Sequence, residues 1–527
     1  MDALLLFELV LAMLLAAVAL HYLANRLSVP PAAALILGGM ALAFVPGLPA
    51  ITFEPELVLV MFLPPLLMDG AWFIALRHLK RHLIGILALA IGAVVFTTLV
   101  VAVVAHALLP GLPWAACAAL GAIVSPPDAI SARAVLSRVK LPQRLAILLE
   151  GESLLNDATG LVLFRFAVAA AVTGTFSTWE ALGDFFFLAL GGALVGVVVG
   201  ALWVFIVKRL RDEYLITATT VLTCWGAYLL SEKLQVSGVI GTVVTGLVCG
   251  WYQHRVFSAL VRIRTNAFWK VMIFLLEASV FILIGFSLRD IIERAGGLQV
   301  ILDRMAEPIL WILLALTLAR VVWIFLCDGF IWLRRRLGHL RFECMGWRAS
   351  LVLSWAGMRG VVTLAIALSV PADMPGRDFM LVTAFAVILV TVLVQGTTLG
   401  FVINKLRPPE AGSRLAPLTM AEAEVAMAAA QAKLIEERAY GPDGTLLHPQ
   451  LLERYRHRLN VLQSYAADQH QYAPQLNAHF DLVLDAIAVA RAELLRLHRT
   501  GQIDDRVLHE LERDLDLEEL AAISSKN

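Results

Sequence analysis

Two aspartates stand within otherwise apolar segments of this chain, each in a setting that is expected to weaken the helix. Asp128 closes residues 125–128 (Ser-Pro-Pro-Asp), and Asp157 closes residues 150–157 (Glu-Gly-Glu-Ser-Leu-Leu-Asn-Asp). A carboxylate in the middle of a bilayer costs about 2.5–3.5 kcal/mol on the insertion scale. A chain that carries two of them so close together is expected to use them, and protons or cations are the natural ligands.

The double proline before Asp128 predicts an interrupted helix. Pro126 and Pro127 lack backbone N–H groups and disfavour helix at the preceding residue, which leaves carbonyl oxygens free. Unwound backbone at this depth is tolerated only when it is buried in protein or faces a water-filled cavity. The Pro127 carbonyl and the Asp128 carboxylate are hard oxygen ligands, suited to Na⁺ or Li⁺. A plain proline kink is the alternative, and the adjacent Asp128 disfavours it.

Asp157 is the residue expected to bind the ion and the proton. Ser153 lies one helical turn before it and shares its face, so both can point at the same ion. Asn156 is adjacent and Glu152 lies near that surface, and we assign both a supporting role. Asp157 could instead pair with an arginine, but none lies one turn away.

Four other charged residues fall within apolar segments, and for them a structural role is expected. If buried, Asp69 would pair with Arg359 or Arg320, and Glu277 with the remaining arginine. Arg359 lies within residues 357–360 (Gly-Met-Arg-Gly) and could also neutralise the carboxyl ends of facing half-helices.

The composition predicts an all-α membrane protein with many spans. Of 527 residues, 60% are hydrophobic and only 16% charged, against about 25% charged in a soluble domain. The apolar residues form long runs rather than the alternating segments of about ten residues found in a membrane β-barrel. Thirteen spans of near bilayer length are expected, at residues 3–24, 30–47, 55–76, 83–109, 113–136, 143–172, 180–207, 213–231, 236–252, 267–288, 306–333, 347–370 and 379–404.

Loop charge predicts the orientation of these spans. Most lysines and arginines outside the apolar runs follow odd-numbered spans, and such loops face the cytoplasm. The N-terminus is therefore expected outside and the C-terminus inside.

A composition break divides the chain after Pro408 and Pro409. We expect a transmembrane domain at residues 1–407 and a cytoplasmic helical domain at 408–527, whose first helix is capped by Thr419 with Glu422 three residues on. No cofactor and no nucleic-acid partner are expected.

The interrupted segments also suggest an internal symmetry. Residues 125–128 fall in the fifth span and residues 357–360 in the twelfth, so the two run in opposite directions. Broken helices at matching places of two inverted halves mark the substrate site of many transporters. Spans one to six would then pair with eight to thirteen.

Four motifs together resemble the sodium/proton antiporters of the cation:proton antiporter type 1 family. They are residues 62–67 (Phe-Leu-Pro-Pro-Leu-Leu), 125–128, 150–157 and 357–362 (Gly-Met-Arg-Gly-Val-Val). The resemblance covers about residues 5–405. Pro127 stands where the family often has Thr, Ala129 where it often has Pro, and Asp69 where Glu is usual.

The resemblance implies a homodimer in the bacterial inner membrane that exchanges Na⁺, with Li⁺ as a further candidate, for H⁺. It implies crossed, partly unwound fifth and twelfth helices and alternating access by an elevator-like movement. Asp157 would be the central carboxylate, with Asp128, Ser153 and the Pro127 carbonyl around the transported Na⁺. The Asn156–Asp157 pair, where relatives have two aspartates, implies electroneutral one-for-one exchange.

Three alternatives remain open at the level of sequence. A potassium/proton antiporter of the same fold would differ only in cavity geometry. A membrane-embedded aspartyl protease also uses two aspartates, but the chain has no Gly-x-Gly-Asp and the double proline would be unexplained. A channel with a cytoplasmic sensor is disfavoured by the paired interrupted helices.

Overall fold

The computed structural model describes residues 3–27, 29–45, 55–74, 76–128, 141–174, 178–337, 344–409, 419–440 and 445–526. Almost all of the described chain is helical, and its extended pairing is limited to an isolated bridge between Tyr440 and Leu446. The chain forms two compact units, Met1–Ala411 and Gly412–Asn527. This all-helical architecture confirms the expected fold class.

The first unit is built mainly from long apolar helices. Its described helices are α1 (Ala3–Leu27), α2 (Pro31–Ala43), α3 (Pro55–Phe73), α4 (Leu76–Leu87), α5 (Val94–Leu108), α6 (Trp114–Val124), α7 (Gln143–Thr173), α8 (Thr178–Val207), α9 (Glu213–Lys233), α10 (Gly238–Val256), α11 (Ala259–Phe286), α12 (Leu288–Arg294), α13 (Leu298–Val300), α14 (Ala306–Arg336), α15 (Trp347–Trp355), α16 (Val361–Leu368), α17 (Arg377–Val390) and α18 (Gly396–Leu406).

Eight described helical stretches are long and apolar enough to cross a membrane, and three shorter apolar helices accompany them. Each of the thirteen expected spans falls on a helix or a pair of helices, although the number that cross the membrane stays a prediction. The twelfth span is divided into α15 and α16 by residues 356–360, as its glycines predict. Within the described residues, the fifth is helical as α6 and leaves the helix after Val124; its remainder from Ala129 onward lies outside the described residues.

Three short π-helical segments, which the sequence analysis does not predict, continue neighbouring α-helices. They are π1 (Ala88–Ala93) between α4 and α5, π2 (Ile301–Met305) before α14, and π3 (Thr391–Gln395) between α17 and α18. Such segments insert one residue into a helix and are frequent at functional sites.

The interrupted helices lie within the buried core of the first unit. Helix α6 packs against α5 and α7, and α15 packs against α14 and α7. Helix α16 contacts α3, α6 and α7. Side chains of these helices belong to one large apolar cluster or to a smaller one around Leu353 and Met358. The two interrupted segments are therefore enclosed by protein, as unwound backbone in a membrane requires.

The second unit contains four further described helices, α19 (Met420–Arg438), α20 (Pro449–Ala467), α21 (Gln469–Arg499) and α22 (Asp505–Lys526). The cap predicted at Thr419 is present: its hydroxyl accepts from the Glu422 amide at 3.2 Å, and its own amide donates to the Glu422 carboxylate at 2.7 Å. Hydrogen bonds from the backbone and the side chain of Thr419 place the pKa of Glu422 below its ordinary value.

Candidate cation- and proton-binding site

The first interrupted segment begins where α6 ends. Residues 125–128 leave the helix because the prolines at 126 and 127 supply no backbone donors. The hydroxyl of Thr98, on α5, donates to the Ser125 hydroxyl at 3.0 Å and holds the start of the segment. The carbonyl of Pro127 accepts from the Asn156 side-chain amide at 2.5 Å. This segment is thus tied to α5 on one side and to α7 on the other.

The second interrupted segment, residues 356–360, is bound directly to the first. The backbone amide of Asp128 donates to the Met358 carbonyl at 2.6 Å. The Arg359 amide donates to the Thr391 hydroxyl at 3.1 Å, so π3 holds this segment from its other side. Two breaks that are far apart in sequence therefore form one hydrogen-bonded centre.

The Arg359 side chain binds carbonyl groups at the carboxyl ends of both half-helices. Its guanidinium donates to the Val124 carbonyl at 2.9 Å, to the Ser125 carbonyl at 3.1 Å, and to the Gly357 carbonyl. The residue is buried, with 2% of its surface exposed. A cation at this position offsets the negative ends of α6 and α15 and satisfies carbonyls left without helical partners.

Asp128 lies against the amino end of the other half-helix. A Cβ atom on Gly360 would fall 1.8 Å from the Asp128 Oδ2 atom, so only glycine leaves room for the carboxylate here. Gly360 immediately precedes α16, whose first backbone amides carry partial positive charge. The Asp128 carboxylate therefore occupies a position that favours negative charge.

Helix α7 carries the other predicted site residues on consecutive turns. Glu152, Asn156 and Asp157 are buried, and Ser153 is half-buried. A Cβ on Gly160 would meet Pro126 Cγ at 2.2 Å, so α7 packs closely on the first interrupted segment. Close packing of α7 here brings Asp157 to the same region as Asp128.

Glu152 forms a buried ion pair with Arg320 of α14. The two guanidinium nitrogens lie 2.6 and 2.9 Å from the two carboxylate oxygens, and one of them also reaches the Leu353 carbonyl at 3.3 Å. The expectation that Asp69 or Glu277 would pair with Arg320 is therefore wrong. Tertiary packing of α7 against α14 brings Glu152, a residue of the ion motif, to this arginine, and spacing along the chain does not reveal that contact.

A cavity of about 240 Å³ gathers the remaining candidates. Asp128, Ser153 and Asp157 line it together with Asp69 and Glu150. The other described residues that line the cavity are apolar side chains or glycine, and most belong to α3 and α16. They are Leu63, Leu66, Leu67, Gly70, Phe73, Leu154, Val361 and Val362. Pro127 is not among these lining residues. Three of the four predicted ligands thus line one cavity.

Among the residues that the structure describes, five Asp, Glu, Lys or Arg side chains are buried. Three are acids, Asp128, Glu152 and Asp157, and two are bases, Arg320 and Arg359. If all five are ionised, these buried side chains together carry one negative charge in excess, which one monovalent cation or one proton would balance.

Two residues of the centre were not anticipated. Thr391 gives no signal in sequence, because its role depends on π3 being next to residues 356–360. Glu150 could have been found, since it precedes Asp157 by seven residues and therefore shares its helical face.

Comparison with known proteins gives a consistent result. A profile of the family described as "Sodium/hydrogen exchanger, transmembrane" matches residues 10–405. An uncharacterised Na⁺/H⁺ exchanger of Mycobacterium tuberculosis is 33% identical over 524 residues, which cover 97% of this chain and 95% of that protein. A sodium, potassium, lithium and rubidium/H⁺ antiporter of Bacillus subtilis is 34% identical over 60% of this chain and 49% of its own length.

The fold is also similar to a solved structure. The sodium proton antiporter of Methanocaldococcus jannaschii at pH 8 superposes with a TM-score of 0.63 at 22% identity, over 77% of this chain and 99% of that one.

Proposed function

The chain belongs to the sodium/hydrogen exchanger family, and we propose that it exchanges a monovalent cation for H⁺ at Asp157 and Asp128. It is a multi-pass membrane transporter rather than an enzyme, so the protease alternative is not pursued. The observation that carries this assignment is the buried cavity in which Asp157, Asp128 and Ser153 converge beside two interrupted helices. Such a convergence suits a cation that must shed its water.

In the proposed site, a cation or a proton binds Asp157, and Asp128 and Ser153 contribute further oxygens. Na⁺ is the expected cation, and Li⁺ is a second candidate. The Pro127 carbonyl is engaged by Asn156, so its contribution to the ion is the least supported. Asn156 and Glu152 act as supports, the former by holding Pro127 and the latter by holding Arg320.

Competition for one carboxylate would couple the two fluxes. A buried carboxylate is costly unless a cation or a proton neutralises it. The mobile part of the protein would therefore cross readily only when Asp157 is loaded. Because the buried centre has one acid more than bases, one Na⁺ or one H⁺ restores neutrality, and we propose electroneutral one-for-one exchange.

The remaining features of the proposal follow from loop charge and from the family. We propose a homodimer in the bacterial inner membrane, surrounded by lipid, with its N-terminus outside and residues 408–527 as a cytoplasmic helical domain. Alternating access would move the interrupted helices as a body, with no resident cofactor. Potassium is a further cargo candidate, because the Bacillus subtilis relative is described as a sodium, potassium, lithium and rubidium/H⁺ antiporter.

The test is exchange in proteoliposomes. A pH gradient is imposed, Na⁺, Li⁺ or K⁺ is added, and dissipation of the gradient is followed for the unmodified chain and for Asp157→Asn. Asp184→Asn, which removes an exposed carboxylate at the start of α8, is the matched control. We expect cation-dependent dissipation in the unmodified chain and the control and none in Asp157→Asn. Substantial exchange by Asp157→Asn would refute the site, and the ranking of cations would decide the cargo.

A further inference from the structure

Side-chain hydrogen bonds join many of the described membrane helices into two groups. The first, which we call the site group, contains α5, α6, α7, α14, α15 and α18 with π1 and π3. Besides the bonds of the two interrupted segments, its bonds join Glu152 to Arg320, Trp323 to the Ala88 carbonyl, and Trp355 to Thr398. The second, which we call the flanking group, contains α3, α8, α9, α10 and α11. Its bonds join Trp72 to Gln253, Trp225 to the Val60 carbonyl, Thr245 to the Gly196 carbonyl, and Trp269 to Thr220.

An ion pair connects the two groups at the carboxyl-terminal half of α7. Helix α7 packs against α3 and α10 of the flanking group as well as against α5 and α6. Its Arg165 places an Nη2 atom 3.4 Å from Oε2 of Glu232 on α9. Arg165 follows Asp157 by eight residues, about 12 Å of helix. Glu150, which is exposed and lines the cavity, precedes Asp157 by seven. The ion pair and the exposed end of the cavity therefore lie on opposite sides of the binding carboxylate.

The Glu232 carboxylate is held by the turn that joins α9 to α10. Its Oε1 atom accepts from the Gly238 amide at 3.2 Å, and a Cβ atom on Gly238 would lie 2.9 Å from that oxygen. Glu232 thus belongs to the flanking group through two neighbouring helices, whereas Arg165 is carried by α7 of the site group. A movement between the groups would act directly on this contact.

The exposure of this pair allows it to break and form again. The Arg165 and Glu232 side chains are 48% and 31% exposed, whereas those of Arg320 and Glu152 are 3% and 1% exposed. Separation of a buried pair leaves uncompensated charge in a medium of low dielectric constant, which is strongly unfavourable. Exposed ion pairs shift an equilibrium by about fivefold or less. The contact between the groups is therefore reversible, and the contact inside the site group is permanent.

We propose that Arg165 and Glu232 form a latch between the two groups, closed while the cavity is open at Glu150 and broken when the site group slides to open the other side. A slide of one helical turn, about 5.4 Å, exceeds the range of an ion pair, and Glu232 is kept back by its bond to Gly238. In the proposed orientation the latch lies on the outer side of the membrane. The inference rests on the proposed function, because it concerns the movement that alternates access to the same site.

The experiment joins the two positions covalently. Arg165→Cys is combined with Glu232→Cys, and the purified protein is treated in detergent with a bifunctional methanethiosulfonate reagent before reconstitution. The matched control is Glu213→Cys with Arg264→Cys, which replaces an Arg–Glu pair inside the flanking group, between α9 and α11. The unmodified chain, with its five native cysteines, and each single-cysteine variant are treated in the same way. Peptide mass spectrometry establishes which cysteines are joined.

A latch that must open in every cycle predicts reversible inhibition. Before treatment, we expect the double variant at 165 and 232 to exchange within about fivefold of the unmodified chain, as for loss of an exposed ion pair. After treatment, we expect its exchange to be lost and to return when a thiol reductant cleaves the bridge. The joined control pair and the single-cysteine variants should exchange at the same rate before and after treatment.

Undiminished exchange by the joined variant at 165 and 232 would overturn the inference, because a contact that persists through the cycle is only structural. So would failure of these two cysteines to be joined when the control pair is joined, because the latch requires their proximity. Loss of exchange before treatment would show that the pair is needed in both states, which also contradicts a latch. Absence of exchange by the untreated, unmodified chain would instead count against the proposed function.

Discussion

Asp128 and Asp157 line one cavity but are held in different ways. The Asp128 amide is bonded to the second interrupted segment, and its carboxylate fills the space that a side chain on Gly360 would need. Asp157 lies within the continuous helix α7, so the expectation of a weakened helix at this residue was wrong. This contrast suits Asp128 to a fixed charge beside a helix end, and Asp157 to the site where a proton and a cation replace each other.

The position of Asp128 should depend on the absence of a side chain at residue 360. Gly360→Ala places a Cβ atom 1.8 Å from Asp128 Oδ2, so the carboxylate must move. Because overpacking of this kind costs about 1–3 kcal/mol, we expect exchange to fall by about tenfold or more. The measurement is cation-dependent dissipation of a pH gradient in proteoliposomes. Gly226→Ala is the control, because a Cβ there meets nothing within 4 Å. Unchanged exchange by Gly360→Ala would contradict this account of Asp128.

Replacing one partner of the Glu152–Arg320 pair should destabilise the protein more than replacing both. Both side chains are almost fully buried, at 1% and 3% exposure, so either one left alone is an uncompensated charge. We expect Glu152→Met or Arg320→Met to lower stability by about 3–5 kcal/mol, and the double variant to recover much of that loss. The stability of each variant is measured by thermal unfolding in detergent. Additive losses in the double variant would show that the two charges do not compensate each other.

At the scale of elements, π3 links the second interrupted segment to the helix that follows it. Its first residue, Thr391, accepts from the Arg359 amide at 3.1 Å. The same hydroxyl donates to the Val387 carbonyl at 2.7 Å within α17. A π-helical segment displaces the following turns of a helix. Here the displacement begins at Thr391, the residue whose hydroxyl accepts from the Arg359 amide of the second interrupted segment.

Removal of the Thr391 hydroxyl should destabilise the second interrupted segment without changing the shape of the side chain at residue 391. Thr391→Val leaves the buried Arg359 amide without this acceptor, which costs about 1–3 kcal/mol. We expect lower thermal stability and several-fold slower exchange. Thr397→Val, one to two turns further on at an exposed position, removes a hydroxyl that bonds only its own helix. If both variants behave alike, the contact between Thr391 and Arg359 is not a functional one.

The helix-weakening residues allowed the interrupted helices to be predicted from the sequence, whereas the contacts of these helices could not be predicted. Pro126, Pro127, Gly357 and Gly360 weaken helix locally, so an interruption was predicted at both segments. The same residue types do not suffice by themselves, because another double proline, Pro64 and Pro65, lies inside α3. The Glu152–Arg320 pair joins residues 168 positions apart and depends on how α7 and α14 pack. A sequence pattern indicates which residues share one face of a helix, but it does not indicate which other helix packs against that face.

For the whole molecule, a single shared carboxylate predicts competition between protons and cations. If H⁺ and Na⁺ occupy Asp157 in turn, a fall in pH should raise the apparent KM for Na⁺ in inverse proportion to the fraction of Asp157 that is unprotonated in the absence of Na⁺. The maximal rate at saturating Na⁺ should stay nearly constant. Exchange rates measured over a matrix of pH and Na⁺ concentration test this. A maximal rate that falls with pH at constant KM would indicate separate sites for the two ions.

The balance of buried charge also has an electrical consequence. If one cation is exchanged for one proton, as proposed from three buried acids against two bases, the complete cycle moves no net charge. A membrane potential of 100 mV, worth about 2.3 kcal/mol for each charge moved, would then neither drive nor oppose transport. Exchange would stop where the transmembrane ratio of the cation equals that of the proton, and a cell whose voltage had collapsed could still use a sodium gradient to adjust its internal pH.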